Sequence, residues 1–401
     1  MALGDAAPRP FPFAPAPGLD EEPQFAALRA SEPLCRVRLP YGGDAWLVTR
    51  YEDVKRVLGD PRFSRAETTH PHVPRLQPVP AGEGLLMSLD PPDHTRLRRT
   101  VLGAFTVRRM NGLRPATEVI AHELLDAMEA PGPPADLVGA FALPLPVRVI
   151  CALLGIPYAD HADLLRWSHT LLSTTACDER AMAEADTALT RYFTGLVARL
   201  RGEPSDGLLG ELVRARDAED GRLDDGEVVA LARDLLIAGH ETTAAQITNF
   251  THVLLHHPEQ LAELRARPEL MPAAVEELLR YVPLGPGAFR ARVAVEEVEL
   301  CGVRIGPGET VFAPTVSANR DPGAFDDPAR LDLGRRRNAH LGFGYGMHHC
   351  VGAQLARMEL NVAMTALLAR FPALRPAAEA DDIQWKSGGQ VRGPLRLPVR
   401  W

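Results

Sequence analysis

The run from Asp225 to His256 constrains this chain most. It reads as one unbroken helix, and at about 1.5 Å per residue it is long enough to cross a whole molecule. Its central part is apolar on most sides, the pattern of a helix buried all round rather than lying on a surface. Eight further helical patterns are written around it: Asp93 to Gly103, Arg108 to Met128, Pro146 to Leu154, Tyr158 to Ser173, Glu179 to Arg201, Gly207 to Ala218, Pro258 to Ala266 and Met271 to Tyr281. A last one follows from Gly352 to Phe371. The expected fold class is mainly α, with a minor β region.

That β region has two parts. Val37–Leu39 and Ala45–Thr49 flank Tyr41-Gly42-Gly43-Asp44, a hairpin signal. Val293 to Val298, Val303 to Ile305 and Thr310 to Phe312 are short strand-like runs punctuated by Gly302 and Gly306-Pro307-Gly308. Short helices are expected over Gln24 to Ser31 and Tyr51 to Leu58, and short strands around Gly388-Gly389 and Gly393-Pro394. Residues 64–87 form a long loop rich in Pro, His and Gly, a length usual for functional loops. Residues 317–342 show little periodicity. Leu137 to Ile156 contains Pro144, Pro146 and Arg148, so it reads as a strand-like entry and a buried helix, not a membrane span. Residues 1–24 are expected to be a flexible lead-in and residues 25–401 a single large domain.

A formal net charge of −8 argues against general nucleic-acid affinity, which needs a basic footprint. The five cysteines (Cys35, Cys151, Cys177, Cys301 and Cys350) are odd in number and contain no C-x-x-C. They are no disulfide framework and point to a reducing compartment, the cytoplasm. Met1 to Pro17 has neither a basic nor an apolar signal region.

The chemistry centres on Phe343-Gly344-Tyr345-Gly346-Met347-His348-His349-Cys350-Val351-Gly352. Cys350 has three readings: a structural thiol, a zinc ligand with His340, His348 and His349, or a thiolate on a haem iron. Structural zinc prefers paired cysteines, and none are present. A following helix offers free N–H groups and a positive dipole end, which stabilise a thiolate. Gly346 and Gly352 would let backbone approach a flat group, and Phe343 would cover the sulfur.

Four other stretches carry unusual polar residues. In Asp93-His94-Thr95-Arg96-Leu97-Arg98, His94 and Arg98 share one helix face. In Ala238-Gly239-His240-Glu241-Thr242-Thr243, a Glu and two Thr lie inside the buried helix, where they are costly unless used. Thr242 there either back-bonds to the carbonyl four residues earlier or opens a groove. Glu277 and Arg280 are spaced as an ion pair. Arg290-Ala291-Arg292 precedes the strand-like runs.

Together these stretches resemble the cytochrome P450 family, in its soluble, actinomycete-like bacterial form. The family signature Phe-x-x-Gly-x-His/Arg-x-Cys-x-Gly is matched in full by Phe343, Gly346, His348, Cys350 and Gly352. The resemblance implies a P450-type helical domain with haem b between the long central helix and the Cys-bearing helix. It implies Cys350 as iron ligand, and His94, Arg98, Arg292 and His348 toward the propionates. It places Ala238 and Gly239 over the haem and makes Glu241 and Thr242 the acid–alcohol pair of a proton relay. Arg292 fits the strand register better than Arg290. Glu277 and Arg280 match the family's buried Glu-x-x-Arg. Its third partner is expected at Arg330 in Pro328-Ala329-Arg330-Leu331, where Leu331 replaces the usual Phe.

The implied activity is dioxygen-dependent hydroxylation or epoxidation of a small molecule of secondary metabolism. No G-x-G-x-x-G follows a strand and no Fe–S cysteine set exists, so electrons are expected from a ferredoxin and its ferredoxin reductase. Arg96, Arg99, Arg108, Arg109 and Arg335-Arg336-Arg337 would offer that partner a basic face. The substrate space is expected to draw on Leu85 to Met87, residues 167–192, Ala238, Thr242, Leu284 to Phe289 and Ser387 to Gln390. Two other outcomes are oxidative C–C or C–N coupling of aromatic substrates, such as tryptophan-containing cyclic dipeptides, and a non-catalytic haem or zinc sensor. Trp46, Trp167 and Trp385 read as core or strand residues.

Overall fold

A computed structural model describes residues 7–203, 205–217, 223–285 and 291–401. Residues 1–6 of the expected lead-in, Ala218, residues 286–289 and Arg290 lie outside the described residues. The fold is mainly helical with a minor sheet region, as expected. It comprises two compact units, each assembled from separated stretches of chain.

One unit holds Met1–Gly82, His252–Cys350 and Gln390–Gly393. Its frame is a six-stranded sheet in the order Arg9–Pro10, Leu34–Arg38, Asp44–Val48, Thr310–Phe312, Ala291–Ala294 and Phe63–Ser64. The expected hairpin is its antiparallel pair, with Arg36 opposite Trp46. Glycine is required at its turn: Gly42 has φ +79°, and a Cβ there would lie 2.4 Å from the Val73 carbonyl oxygen. Trp46 then pairs in parallel with Val311, and Arg292 with the same Val311 from the other side. Leu34, Val48, Val54, Phe63 and Val311 form one apolar cluster of this unit. Phe11, Phe25, Leu47 and Phe312 form another.

The lead-in differs from expectation. Arg9–Pro10 is a strand paired with Val37 and Arg38, and the Phe11 ring is buried 5.9 Å from that of Phe312. Three aromatic rings (Phe11, Phe13 and Phe25) hold one another. Apolar burial thus fixes a stretch whose Ala and Pro content reads as loose.

A second difference concerns the buried ion pair. Glu277 and Arg280, on helix Met271–Tyr281, are both fully buried and doubly bonded at 2.7 and 2.8 Å. The third member is Arg335, not Arg330. Arg335 Nε lies 3.0 Å from Glu277 Oε2, whereas the Arg330 side chain is 67% exposed and only its carbonyl joins the cluster. Asn338 Nδ2 and the Asp332 N–H also donate to Glu277. Arg335 is therefore withdrawn from the expected basic face.

The other unit holds Glu83–Thr251, Val351–Gly389 and Pro394–Trp401. Its helices are Asp93–Leu102, Val107–Glu129, Pro144–Leu154, His161–Leu171, Glu179–Gly202, Leu208–Asp217, most of Asp225–Leu255, and Ala353–Arg370. Val107–Glu129 packs on Ala353–Arg370, and Arg370 pairs with Asp126 and Glu129. The strand-like entry expected from Leu137 is a π-helical turn, Val138–Ala142; the strand is the preceding Ala135–Asp136, paired with Pro398–Arg400. The turns at Gly389 and Pro394 make only isolated bridges, to Ser173 and Trp385. Among the described residues no helix is long and apolar enough to cross a membrane.

Glu359, on Ala353–Arg370, is fully buried, and neither carboxyl oxygen has a hydrogen-bond partner. Burial pushes its carboxyl well above the usual range. The unfolded chain releases this proton near 4.5 while the folded chain keeps it, so this group lowers stability as pH rises above that value. Glu359→Gln should remove this slope, and urea midpoints of the holoprotein should then favour the variant more at alkaline than at acid pH. Equal gains at both would contradict it. Separately, Arg335→Ala should cost about 2 kcal/mol, a charged hydrogen bond's worth, and Arg330→Ala less than about 0.5 kcal/mol, in the same measurement.

Candidate active site

The cysteine loop belongs to the first unit. Helix Tyr51–Gly59 seats it: Gly346 has φ +72°, and a Cβ there would lie 2.6 Å from the Leu58 carbonyl oxygen and 2.8 Å from Gly59 Cα. The glycine thus serves backbone packing on this helix, a reason distinct from the flat-group approach expected. The loop closes on itself through Cys350 N–H to the Phe343 carbonyl, 2.9 Å, and His349 N–H to the Gly346 carbonyl, 3.0 Å. The Phe343 ring stands 6.0 Å from His340 and 6.3 Å from His349. His340 Nε2 is engaged by Glu276 Oε2 at 3.1 Å. Cys350 itself is exposed, and Ala353–Arg370 begins after Gly352. In sequence Cys350 thus closely precedes a helix start, and a helix dipole favours a nearby thiolate. Among the described residues no three His, Cys, Asp or Glu side chains gather as a metal cluster. The zinc reading has no support in this geometry.

The central helix Asp225–Leu255 belongs to the second unit over the residues that matter here. Its middle is mostly buried, with Arg233, Ile237 and Gly239 half-buried; Ala238 is exposed, with Asp234 and Thr242 half-buried one turn to either side. Spacings of four place these three on one face. The Thr242 hydroxyl donates to the Ala238 carbonyl at 2.9 Å, so the back-bond forms, and the helix continues through it. Gly239 answers to a neighbour: a Cβ would meet Ile150 Cδ1 of helix Pro144–Leu154 at 2.6 Å. His240 is buried, with Nδ1 2.7 Å from the Leu236 carbonyl oxygen, and burial lowers its pKa.

Glu241 is buried and ionised. Desolvation alone would raise its pKa, but hydrogen bonding to His169 and the charge of Lys386 outweigh this and hold it at about 2. Lys386 Nζ donates to Glu241 Oε1, and His169 Nε2 lies 3.4 Å from the same oxygen. The turn carrying Lys386 is itself pinned. The Gly388 carbonyl accepts from the Thr174, Thr175 and Ala176 N–H groups at 2.7, 3.1 and 3.2 Å. Gly388 has φ +65°, and a Cβ would lie 2.7 Å from Thr175 Oγ1. Sequence reasoning missed Lys386 and His169. A signal existed: Lys55 and Lys386 are the only lysines in an arginine-rich chain.

The cationic candidates are placed as follows. His94, in the first turn of Asp93–Leu102, is 2% exposed, and Arg98 one turn on is half-buried. Arg292 is 2% exposed, its Nη1 donating to the Ala291 carbonyl at 2.9 Å. His348 is half-buried. Of the expected basic face, Arg96 and Arg109 are paired with Glu227 and Glu211, while Arg99, Arg108, Arg336 and Arg337 are exposed. In the first unit an exposed cysteine lies on the same chain stretch as the buried Arg292; in the second a small residue is exposed on the central helix and the His94 imidazole is buried.

A family model described as Cytochrome P450 matches residues 177–397. The mycinamicin IV hydroxylase/epoxidase of Micromonospora griseorubida is 50% identical over 399 residues, covering 100% of both chains. The nocardicin C N-oxygenase of Nocardia uniformis subsp. tsuyamanensis is 50% identical over 394 residues, 98% of each. A crystal structure of HinD with NMFT and NO superposes with a TM-score of 0.95 at 50% identity, covering 99% of this chain and 100% of that one.

The Glu241 pair makes a measurable prediction. Because its folded pKa is depressed, Glu241 contributes stability that is full above 4.5 and lost as pH falls toward about 2. Without the ammonium, desolvation dominates and the carboxyl takes up a proton at higher pH. Lys386→Met should cost about 3 kcal/mol near neutral pH, with the deficit shrinking in mildly acidic buffer. A deficit that is the same at both pH values in urea denaturation would contradict the pairing.

Proposed function

Because the chain belongs to the cytochrome P450 family, and is accordingly a haem-dependent monooxygenase, we propose that Cys350 is its iron ligand and that it hydroxylates or epoxidises a natural product. We assign His94, Arg98, Arg292 and His348 to the propionates. Phe343, Gly346 and Gly352 shape the cysteine side, and Ala238 and Gly239 face the haem from the central helix. Bound haem supplies dioxygen activation at an iron enriched in electron density by its thiolate. Residues 25–401 carry this activity as one functional domain.

The observation that carries the reading is the exposed Ala238, flanked on one helix face by the half-buried Asp234 and Thr242, beside an ionised Glu241. A small residue at Ala238 leaves room above a flat group. The Thr242 hydroxyl, at rest on the Ala238 carbonyl, is a donor that can turn into that space. At neutral pH Glu241 is a proton acceptor and not a proton store. Lys386 Nζ, partly open to solvent, is then the outer end of a chain that runs Lys386, Glu241, Thr242. A proton entering at Lys386 passes through Glu241 Oε1 to the Thr242 hydroxyl oxygen as that hydroxyl gives up its own proton into the open space, and Lys386 recovers its proton from solvent.

Electrons come from a separate ferredoxin and ferredoxin reductase, and the exposed arginines suit an acidic partner. Five cysteines, odd in number and without any C-x-x-C, suit the cytoplasm.

Two measurements test the assignment. Reduced protein with carbon monoxide should show the strongly red-shifted band of thiolate-ligated haem, and Cys350→Ala should abolish it. A band that survives would remove Cys350 from the iron. Thr242→Ala should keep that band yet divert electrons, with peroxide released per electron pair rising several-fold, of the order of 10-fold or less. Unchanged peroxide yield would remove Thr242 from the relay.

A further inference from the structure

Asp234 plays no part in the assignments so far. It lies two turns before Thr242 on the same helix face and is half-buried. Its Oδ2 accepts the Leu86 N–H at 2.7 Å, and the Met87 N–H bonds the same carboxyl. These two groups open the 3₁₀ turn Leu86–Ser88, which ends the long loop and leads to the helix at Asp93. Leu86 and Ser88 are buried, while Leu85 and Met87 remain half-buried. A side-chain carboxylate thus supplies what the turn's own backbone lacks, an acceptor for its first N–H groups.

We propose that Asp234 is a positioning residue: it clasps the backbone of Leu86 and Met87 to the open face of the central helix and so sets where Leu85 and Met87 stand at the edge of the substrate space. This rests on assigning that face to substrate and oxygen.

The clasp responds to pH. Desolvation pushes the Asp234 carboxyl up to about 7, against the lowering effects of the Leu86 N–H, the charge of Arg233 and the Met87 N–H. Arg233 is the charged group acting on it among the described residues, and its guanidinium is committed to Asp186 of helix Glu179–Gly202. Residues 85–89 bring no titratable side chain, and Glu83 before them is exposed. An ionised carboxylate accepts both N–H bonds with the added strength of its charge; a protonated one gives up an acceptor position and that charge. The clasp is firm above its pKa and slack below it.

The test is hydrogen–deuterium exchange of the haem-loaded enzyme, read on a peptide containing residues 85–88, with each rate divided by the intrinsic chemical rate at that pH. Protection in the wild type should rise roughly fivefold or more between about pH 6 and about pH 8. Asp234→Asn should be less protected at the upper pH, with a flat profile, while retaining the carbon monoxide band. A flat wild-type profile, or a wild-type profile in Asp234→Asn, would overturn the proposal. Should Asp234→Asn fail to load haem, the wild-type profile still decides, and Asp234→Glu, which keeps a titrating carboxyl, should restore the pH dependence. The iron and relay assignments stand or fall on the carbon monoxide and peroxide measurements, so the two failures are distinct.

Discussion

A carboxylate with no access to water, that of Glu277, holds together the part of this protein that regular structure does not. From Asn319 to Cys350 the chain forms almost no helix or strand, so its backbone groups need partners from elsewhere. Glu277 accepts from Arg280, Arg335, Asn338 and the Asp332 N–H. Arg280 in turn donates to the carbonyls of Asn319, Pro328 and Arg330. A buried ion pair is weak evidence for net stability. Its value here is registry: the cluster fixes an irregular segment that ends in a cysteine whose placement must be reproducible. On the proposed assignment of Cys350 to the iron, positioning matters because ligation tolerates little displacement of the sulfur, and a loop held only by apolar contacts would slide.

The central helix answers a similar problem in the same way, with a buried carboxylate met by cations. Glu241 sits where an isolated carboxylate could not remain ionised. Lys386 and His169 reach it from two different segments, and the Gly388 carbonyl ties those segments to each other. In the proposed relay, chemistry and packing are not separable at this residue: the same ion pair that makes burial tolerable also sets the carboxyl's readiness to take a proton. Asp234, about two turns earlier on the same helix, is handled differently. It receives backbone N–H groups and a distracted arginine, and its carboxyl rests near neutrality.

Much of this was legible in the residues. Helix positions follow from apolar periodicity and the signature around Cys350 from its spacing, because both are local properties. What escaped is tertiary. Arg330 and Arg335 sit close together in one loop, and nothing in their spacing says which guanidinium turns inward. Gly239 and Gly346 were legible as special, but the neighbours that crowd them, Ile150 and Leu58, are far from them in sequence. The lead-in reads as loose from its composition, yet Phe11 finds a ring to pack on that belongs to a strand three hundred residues later. Lys386 was visible only as a rarity, and rarity does not name a partner.

The six-stranded sheet ends at both sides in strands of two residues, Arg9–Pro10 and Phe63–Ser64. An open sheet edge is a template on which another chain can add itself, and a long flat one invites aggregation. Two residues offer little to copy, and Pro10 lacks an N–H altogether. The N-terminal strand thus does more than extend the sheet: it replaces the five-residue edge Leu34–Arg38 with one that a second molecule cannot easily continue. For an enzyme whose apolar interior must remain accessible to small molecules, a blunted edge keeps that accessibility from extending to neighbouring proteins.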